Sequence, residues 1–339
     1  MSGIVTYSPA YTLVPTYECF NRCTYCNFRT EPGMSPWLEL AEAERVLKSL
    51  QGRGVIEILI LSGEVHPESK LRSLWFERIY NLCELALSLG FLPHTNVGPL
   101  SLAEMAKLKE VNVSMGLMLE QLTPELMKTV HRYAPSKVPE LRLQHLEWAG
   151  ELRIPFTTGL LLGIGETAAD WQESLQALAR LHQRWGHLQE VILQPYSPAA
   201  KNQSETGFLK KTGFLKLKDV VALARDILPP DITLQIPPNL IQQPAALLAC
   251  LQAGARDLGG IGPIDEVNPD YPHPHLQQLT AFLKSAGWQL VPRLPVYPQY
   301  DKWLNLRLQA AVTCWRSAIN NSAFAVKITN KSCPTNSLP

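Results

Sequence analysis

The sequence predicts an α/β fold: a partial to complete TIM-like (β/α) barrel over residues 1–265, followed by a partly helical, partly irregular C-terminal extension, 266–339. Three observations carry this expectation. Short apolar runs alternate with longer amphipathic stretches, eight times between Tyr11 and Ile264, which matches the roughly 250 residues of a closed barrel. Several runs are rich in Val, Ile and Leu without strict polar alternation, as in strands covered on both faces. Polar motifs follow the runs one after another, at the strand ends where an α/β barrel carries its chemistry.

In chain order the strand-like runs are Tyr11–Thr16, Val55–Leu61, Phe91–Thr95, Val111–Met118, Pro155–Leu162, Gln189–Gln194, Ile232–Ile236 and, weakly, Ala255–Ile261. Ser35-Pro36 is expected to open the first helix, with serine as cap and proline in the first turn. Thr123-Pro124-Glu125 repeats that pattern. Thr167 caps a long helix through Trp171, Leu175, Leu178 and Leu181, and Gly150 and Gly254 mark helix ends. The segment Ala199–Gly213 reads as a mobile loop or lid. Two helices are expected in the extension, near His275–Ala286 and Trp303–Ala318, and the polar end Asn320–Pro339 is expected to fray.

Composition narrows the function. The 339 residues are 46% hydrophobic and carry a net charge of +1, which leaves no electrostatic footprint for nucleic acid or an anionic membrane surface. No apolar run approaches the ~18 residues of a membrane span. The first residues lack the charged and apolar regions of a signal peptide. The protein is expected to be soluble, and unpaired thiols point to a reducing, cytoplasmic location. Cys83, Cys250, Cys314 and Cys333 lie far apart and outside any motif, and read as buried or incidental thiols.

The remaining three cysteines stand in one short segment, Cys19, Cys23 and Cys26, spaced CxxxCxxC. Three thiolates can hold three irons of a 4Fe-4S cluster and leave the fourth iron open to an exchangeable ligand. A structural zinc site asks for four ligands, usually as two pairs, and no second Cys/His pair follows; His66 is the next imidazole. With Tyr25 as the aromatic residue before the last cysteine, the segment resembles the radical S-adenosylmethionine (SAM) superfamily signature. That resemblance implies one 4Fe-4S cluster on Cys19, Cys23 and Cys26, with SAM chelating the open iron and splitting to a 5′-deoxyadenosyl radical.

Two further motifs fit. Ser62-Gly63-Glu64 is similar to the GGE motif, with serine for the first glycine; its carboxylate and carbonyls suit the positive amino group of SAM, and glycine permits close approach. Gly159-Leu160-Leu161-Leu162-Gly163-Ile164-Gly165-Glu166 is similar to the GxIxGxxE strand, which implies cofactor roles for Gly163 and Glu166. Tyr25 is expected to pack on the adenine. The stretches TLVPTYECFNRCTYCNFR, LSGEVHP, HTNVGPLS, VSMGLMLE, HRYAPSK, PFTTGLLLGIGET, VILQPYSP, LQIPPNL and GARDLGGIGPIDEVNPD resemble the 7,8-didemethyl-8-hydroxy-5-deazariboflavin synthase family in its CofG form. The likeness runs from about Tyr7 to Asp270, and nothing is recognised past Gln299.

That family likeness implies a reaction. A CofH-type partner enzyme joins a tyrosine-derived hydroxybenzyl group to a ribityluracil. The CofG-like chain, supplied by an electron donor, then closes the middle ring of the deazaflavin with loss of ammonia. His66, Thr95, Asn96, Glu120 and Gln194, at strand ends, are expected to touch the substrate; Arg132, Tyr196 and Asp257 are weaker candidates. Two alternatives stand beside this expectation. One is a CofH-like, menaquinone-pathway or thiazole-pathway relative acting on tyrosine or another small molecule. The other is a structural iron–sulfur or zinc protein.

Overall fold

A computed structural model describes residues 3–199, 217–241 and 243–320. Past Ala199, the loop expected at 199–213 lies outside the described residues, as does the tail beyond Asn320. Eight parallel strands close into a barrel: β1 (Gly3–Leu13), β2 (Glu57–Leu61), β3 (Leu92–Asn96), β4 (Ser114–Gly116), β5 (Phe156–Leu162), β6 (Leu188–Pro195), β7 (Thr233–Gln235) and β8 (Asp257–Ile261). Each strand pairs with the next, and β1 pairs with both β8 and β2 to shut the ring. Helices α1 (Leu40–Leu50), α2 (Arg72–Ser88), α3 (Leu102–Lys109), α4 (Pro139–Glu151), α5 (Ala168–Trp185), α6 (Leu217–Ile227) and α7 (Pro244–Ala253) form the outer layer. The main core lies between strands and helices, where β5 is buried along its whole length.

Helix starts depart from expectation twice. Helix α1 begins at Leu40 after Glu39, because the Ser35 amide donates instead to the Glu18 carboxylate. Thr123-Pro124 opens only a 3-10 turn, Pro124–Lys128. Thr167 does cap α5, in a reciprocal pair with Asp170. Gly254 follows α7 with φ +125°. Gly150 lies inside α4, where a side chain would strike Trp185.

The chain after 266 is woven back into the barrel. Helix α8 (Leu276–Ser285) leads to β9 (Trp288–Pro292), which pairs in parallel with Gly3–Tyr7 of β1. The following residues cross under the strands: the Pro295 carbonyl accepts from Ser114 Oγ (2.6 Å) and Gln189 Nε2 (2.9 Å). Leu294, Val296, Tyr300 and Leu308 then pack on Ile56, Leu92 and Val113, with α9 (Leu306–Asn320) completing this second core. The extension thereby covers the N-terminal mouth of the barrel. Cys83 and Cys250 are buried free thiols, while Cys314 is not free.

Four of the buried imidazoles make stability depend on pH. Burial pulls His94, His131, His145 and His187 down to about 3. Between there and the ordinary value near 6.5 the unfolded chain binds protons that the folded chain does not. Their contribution is therefore complete above about pH 6.5 and lost as pH falls, by about 1.4 kcal/mol per group per pH unit. The melting temperature is expected to drop steeply from pH 6.5 to pH 5 in a buffer series. A flat profile over that range contradicts the buried neutral state.

Candidate active site

The cysteine loop, residues 14–39, leaves the top of β1 and is pinned by backbone bonds. Cys19 N donates to Thr30 O, Phe20 N to Glu64 O, Arg22 N to Tyr133 O and Thr24 N to Val130 O. Cys19, Cys23 and Cys26 are not disulfide-bonded and are half-buried. Among the described residues no three His, Cys, Asp or Glu side chains converge on a single-ion site. A cubane asks for something different, since each thiolate takes its own iron.

Ser62-Gly63-Glu64 follows β2 and backs this loop. A Cβ on Gly63 would sit 2.1 Å from the Glu18 carbonyl oxygen. The glycine is thus required by contact with the cysteine loop itself, not by approach to a ligand. Ser62 is held by Trp75 Nε1 (3.0 Å). The Glu64 carboxylate accepts from Asn21 Nδ2 (2.8 Å) and meets Arg142 at 3.5 Å.

Beside Cys26 opens a cavity of about 240 Å³. Its wall includes Tyr25, Ser62, Glu64, Glu120, Lys137 and Arg142. Glu120 holds a left-handed backbone, φ +66°, a strained conformation for a residue with a side chain. Its carboxylate lies 2.5 Å from Lys137 Nζ, with both side chains largely buried. Burial works against that carboxylate, but Lys137 and Arg142 prevail and hold its pKa below the ordinary value. Tyr25 is positioned by its hydroxyl, 3.0 Å from His131 Nε2. Arg142 donates to the Ser136 and Met118 carbonyls, each at 2.8 Å. Two carboxylates and two cations thus line one apolar-walled cavity.

A second cavity of about 190 Å³ lies within the barrel. Asn96, Met118, Ile192, Gln194 and Asn268 line both spaces, so the two are contiguous.

The structure sorts the residues expected from sequence. Asn96 and Gln194 stand where the cavities meet, Glu120 faces the cavity beside Cys26, and Tyr196 lines that cavity too. His66 does not join them; it is exposed, packed edge-on against Phe20 at 4.9 Å. Thr95 points away from the interior because side chains alternate along β3; its hydroxyl bonds Asn112 Oδ1 at 2.7 Å. Gly163 and Glu166 do not line the cavity either. Both Glu166 oxygens are occupied by the turn after β5, accepting from Gly163 N (2.5 Å), Ile164 N (2.8 Å) and Trp171 Nε1 (2.8 Å). Arg132 is exposed over Tyr133, and Asp257 lies at the barrel floor against Arg293. Sequence reasoning missed Lys137 and Arg142, although HRYAPSK contains Lys137; it left the role of His131 open.

Comparison with known proteins agrees with this geometry. Residues 13–178 match the radical SAM superfamily. The chain is 65% identical over 317 residues, 93% of its length and 98% of the relative's, to the 7,8-didemethyl-8-hydroxy-5-deazariboflavin synthase of Trichodesmium erythraeum (strain IMS101). Identity to the protein of that name from Synechococcus elongatus is 60% over 322 residues, 95% of each chain. Among solved structures it is similar to the FeFe-hydrogenase maturase HydG from Carboxydothermus hydrogenoformans, with TM-score 0.67 and 19% identity over 94% of this chain and 79% of that one. Methylornithine synthase (PylB) gives TM-score 0.66 and 18% identity over 85% and 83%. At such identities the two structures speak for the fold.

Proposed function

The chain belongs to the radical SAM superfamily and, within it, to the family of 7,8-didemethyl-8-hydroxy-5-deazariboflavin synthases, and from that premise we propose that it closes the middle ring of the deazaflavin chromophore. The substrate is the hydroxybenzyl–ribityluracil adduct, and ammonia is lost. The observation that supports this most directly is the pair of contiguous cavities. One borders the cysteine loop and is lined by opposite charges; the other runs deep into the barrel and is polar.

The residues present fit the cofactors that the family implies. Cys19, Cys23 and Cys26 would hold three irons of the cluster. Glu64 would accept from the amino group of SAM, and Lys137 and Arg142 would meet its carboxylate. Glu120 would take ribose hydroxyls, and Tyr25 with Leu161 would flank the adenine. When bound, the cluster and SAM supply hydrogen-atom abstraction. The chain's own task is to orient the adduct and exclude water, because a reactive carbon centre is selective only for what is held next to it. Asn96 and Gln194 stand where the two cavities join and are suited to hold the uracil edge there.

Three further elements complete the proposal: a CofH-type partner that supplies the adduct, an electron donor to the cluster, and a cytoplasmic site of action. No helix among the described residues is long and apolar enough to cross a membrane.

The test is an anaerobic assay of reconstituted protein with SAM, reductant and the adduct. Deazaflavin fluorescence and 5′-deoxyadenosine are expected together. Deoxyadenosine without deazaflavin would retain the radical chemistry and discard the substrate.

A further inference from the structure

The floor of the barrel interior departs from the usual plan. Such barrels fill their interior with layers of branched apolar side chains. Here Glu57 on β2, His94 on β3 and Glu190 on β6 face the interior, with Arg293 reaching in from beyond β9. Asp257 on β8 is fully buried and accepts from Thr6 Oγ1 (2.5 Å), Gly259 N (2.6 Å), Arg293 Nε (2.6 Å) and Arg293 Nη2 (2.8 Å). Those four donors hold its side chain in place. Arg293 Nη2 also lies 2.5 Å from Glu190 Oε1, which accepts from the Tyr297 hydroxyl at 3.0 Å. One guanidinium therefore serves two carboxyl groups, Asp257 and Glu190. Burial pushes Glu57 and Glu190 upward, which favours a proton on this pair.

The tautomer of His94 follows from its neighbours. Its Nδ1 lies 2.6 Å from Ser114 Oγ, and that hydroxyl donates to the Pro295 carbonyl at 2.6 Å. The hydroxyl has only one proton, so the imidazole is the donor in the first bond. Its Nε2 is then an acceptor on the inner wall, where a methyl on Gly116 would come within 3.0 Å of it. The floor thus offers a bare acceptor at His94 and, on Glu57, a carboxyl that in its neutral form both donates and accepts. Thr12, Gln235 and Gln194 continue the polar wall upward.

A run of hydroxyls, each both donor and acceptor, is matched to such a floor. We propose that the lower chamber receives the polyol tail of the substrate, with Glu57 and His94 reading its hydroxyls while the ring system stays above, between Asn96 and Gln194. This inference rests on the ring-closing function, in which the adduct carries a ribityl chain. It makes Glu57 a specificity-determining residue remote from the reacting atoms.

The experiment uses the full-length, reconstituted enzyme and two probes: the ribityl adduct and its analogue with a methyl group in place of the polyol. Binding is measured by calorimetry without reductant, and KM and kcat with it. Wild type is expected to prefer the ribityl compound by roughly tenfold or more, the worth of one or two good hydrogen bonds. Glu57→Leu is expected to abolish most of that preference, raising KM for the ribityl adduct while kcat and binding of the methyl analogue stay within about threefold of wild type. Glu57→Gln, which keeps a donor and an acceptor, is expected to restore the preference. A Glu57→Leu protein that binds both probes more weakly by the same factor, with a lowered melting temperature, would show a merely structural role and overturn the proposal. Equal binding of both probes by a wild type that makes deazaflavin overturns this inference alone. A wild type that makes no deazaflavin from the ribityl adduct removes the ring-closing function and this inference with it.

Discussion

Alanine in place of Cys23 is expected to give a folded chain without activity. Iron and sulfide per chain should fall well below the wild-type content, and both 5′-deoxyadenosine and deazaflavin should drop to background. The fold should survive because the bonds that pin the cysteine loop run between backbone atoms: Cys19 to Thr30, Phe20 to Glu64, Arg22 to Tyr133 and Thr24 to Val130. Stability should change by no more than about 1 kcal/mol, as for most substitutions away from the core. Activity cannot survive because three thiolates are the smallest set that leaves one iron open and the others held. Iron analysis and a melting curve on the same preparation separate the two effects. Normal turnover by the alanine protein would show that Cys23 is not a ligand.

Removing Lys137 is expected to do a different kind of damage. Lys137 and Glu120 lie 2.5 Å apart with 13% and 9% of their side chains exposed. Removing Lys137 leaves the buried Glu120 carboxylate with Arg142 as its remaining cation, and breaking such a buried pair costs up to about 3–5 kcal/mol. Lys137→Ala should therefore melt markedly lower and bind SAM weakly. The double variant Lys137→Met with Glu120→Gln removes both charges, so most of the stability should return. SAM affinity, measured by equilibrium dialysis, should stay low because the carboxylate-binding cation is still missing. Recovery of both properties together would mean that the pair is only structural.

How far the sequence went can be traced residue by residue. The strands from β2 to β8 were legible within a few residues, because each is a compact apolar run between polar turns. The lower half of β1 was not, since Thr6-Tyr7-Ser8-Pro9 has no apolar run to mark it. β9 was hidden among prolines in a stretch with weak patterning. At the site, chain spacing located the cysteines and Glu64 because those groups are local in sequence. Glu120 and Lys137 meet only through a turn spanning seventeen positions, and local pattern carries no trace of it. Thr95 departs from expectation for another reason, since its hydroxyl bonds Asn112 rather than facing the interior. A strand buried on both faces does not disclose which parity points inward, since one step of register exchanges the two sets. Glu166 matches the motif, and its carboxylate closes the turn after β5, a contact that local pattern does not disclose.

Among the described strands, β1 comes first in the chain and is the last to be completed. Its upper half finds β2 within fifty residues, but Gly3–Tyr7 must wait for Trp288–Pro292 and Thr6–Pro9 for the strand at Asp257. For most of translation the chain therefore carries an unpaired strand edge at its N-terminus. Such edges template pairing with other chains, and closing so long a loop is a slow, non-local step. The interval most exposed to mispairing is the time between the emergence of residue 3 and the docking of residue 292.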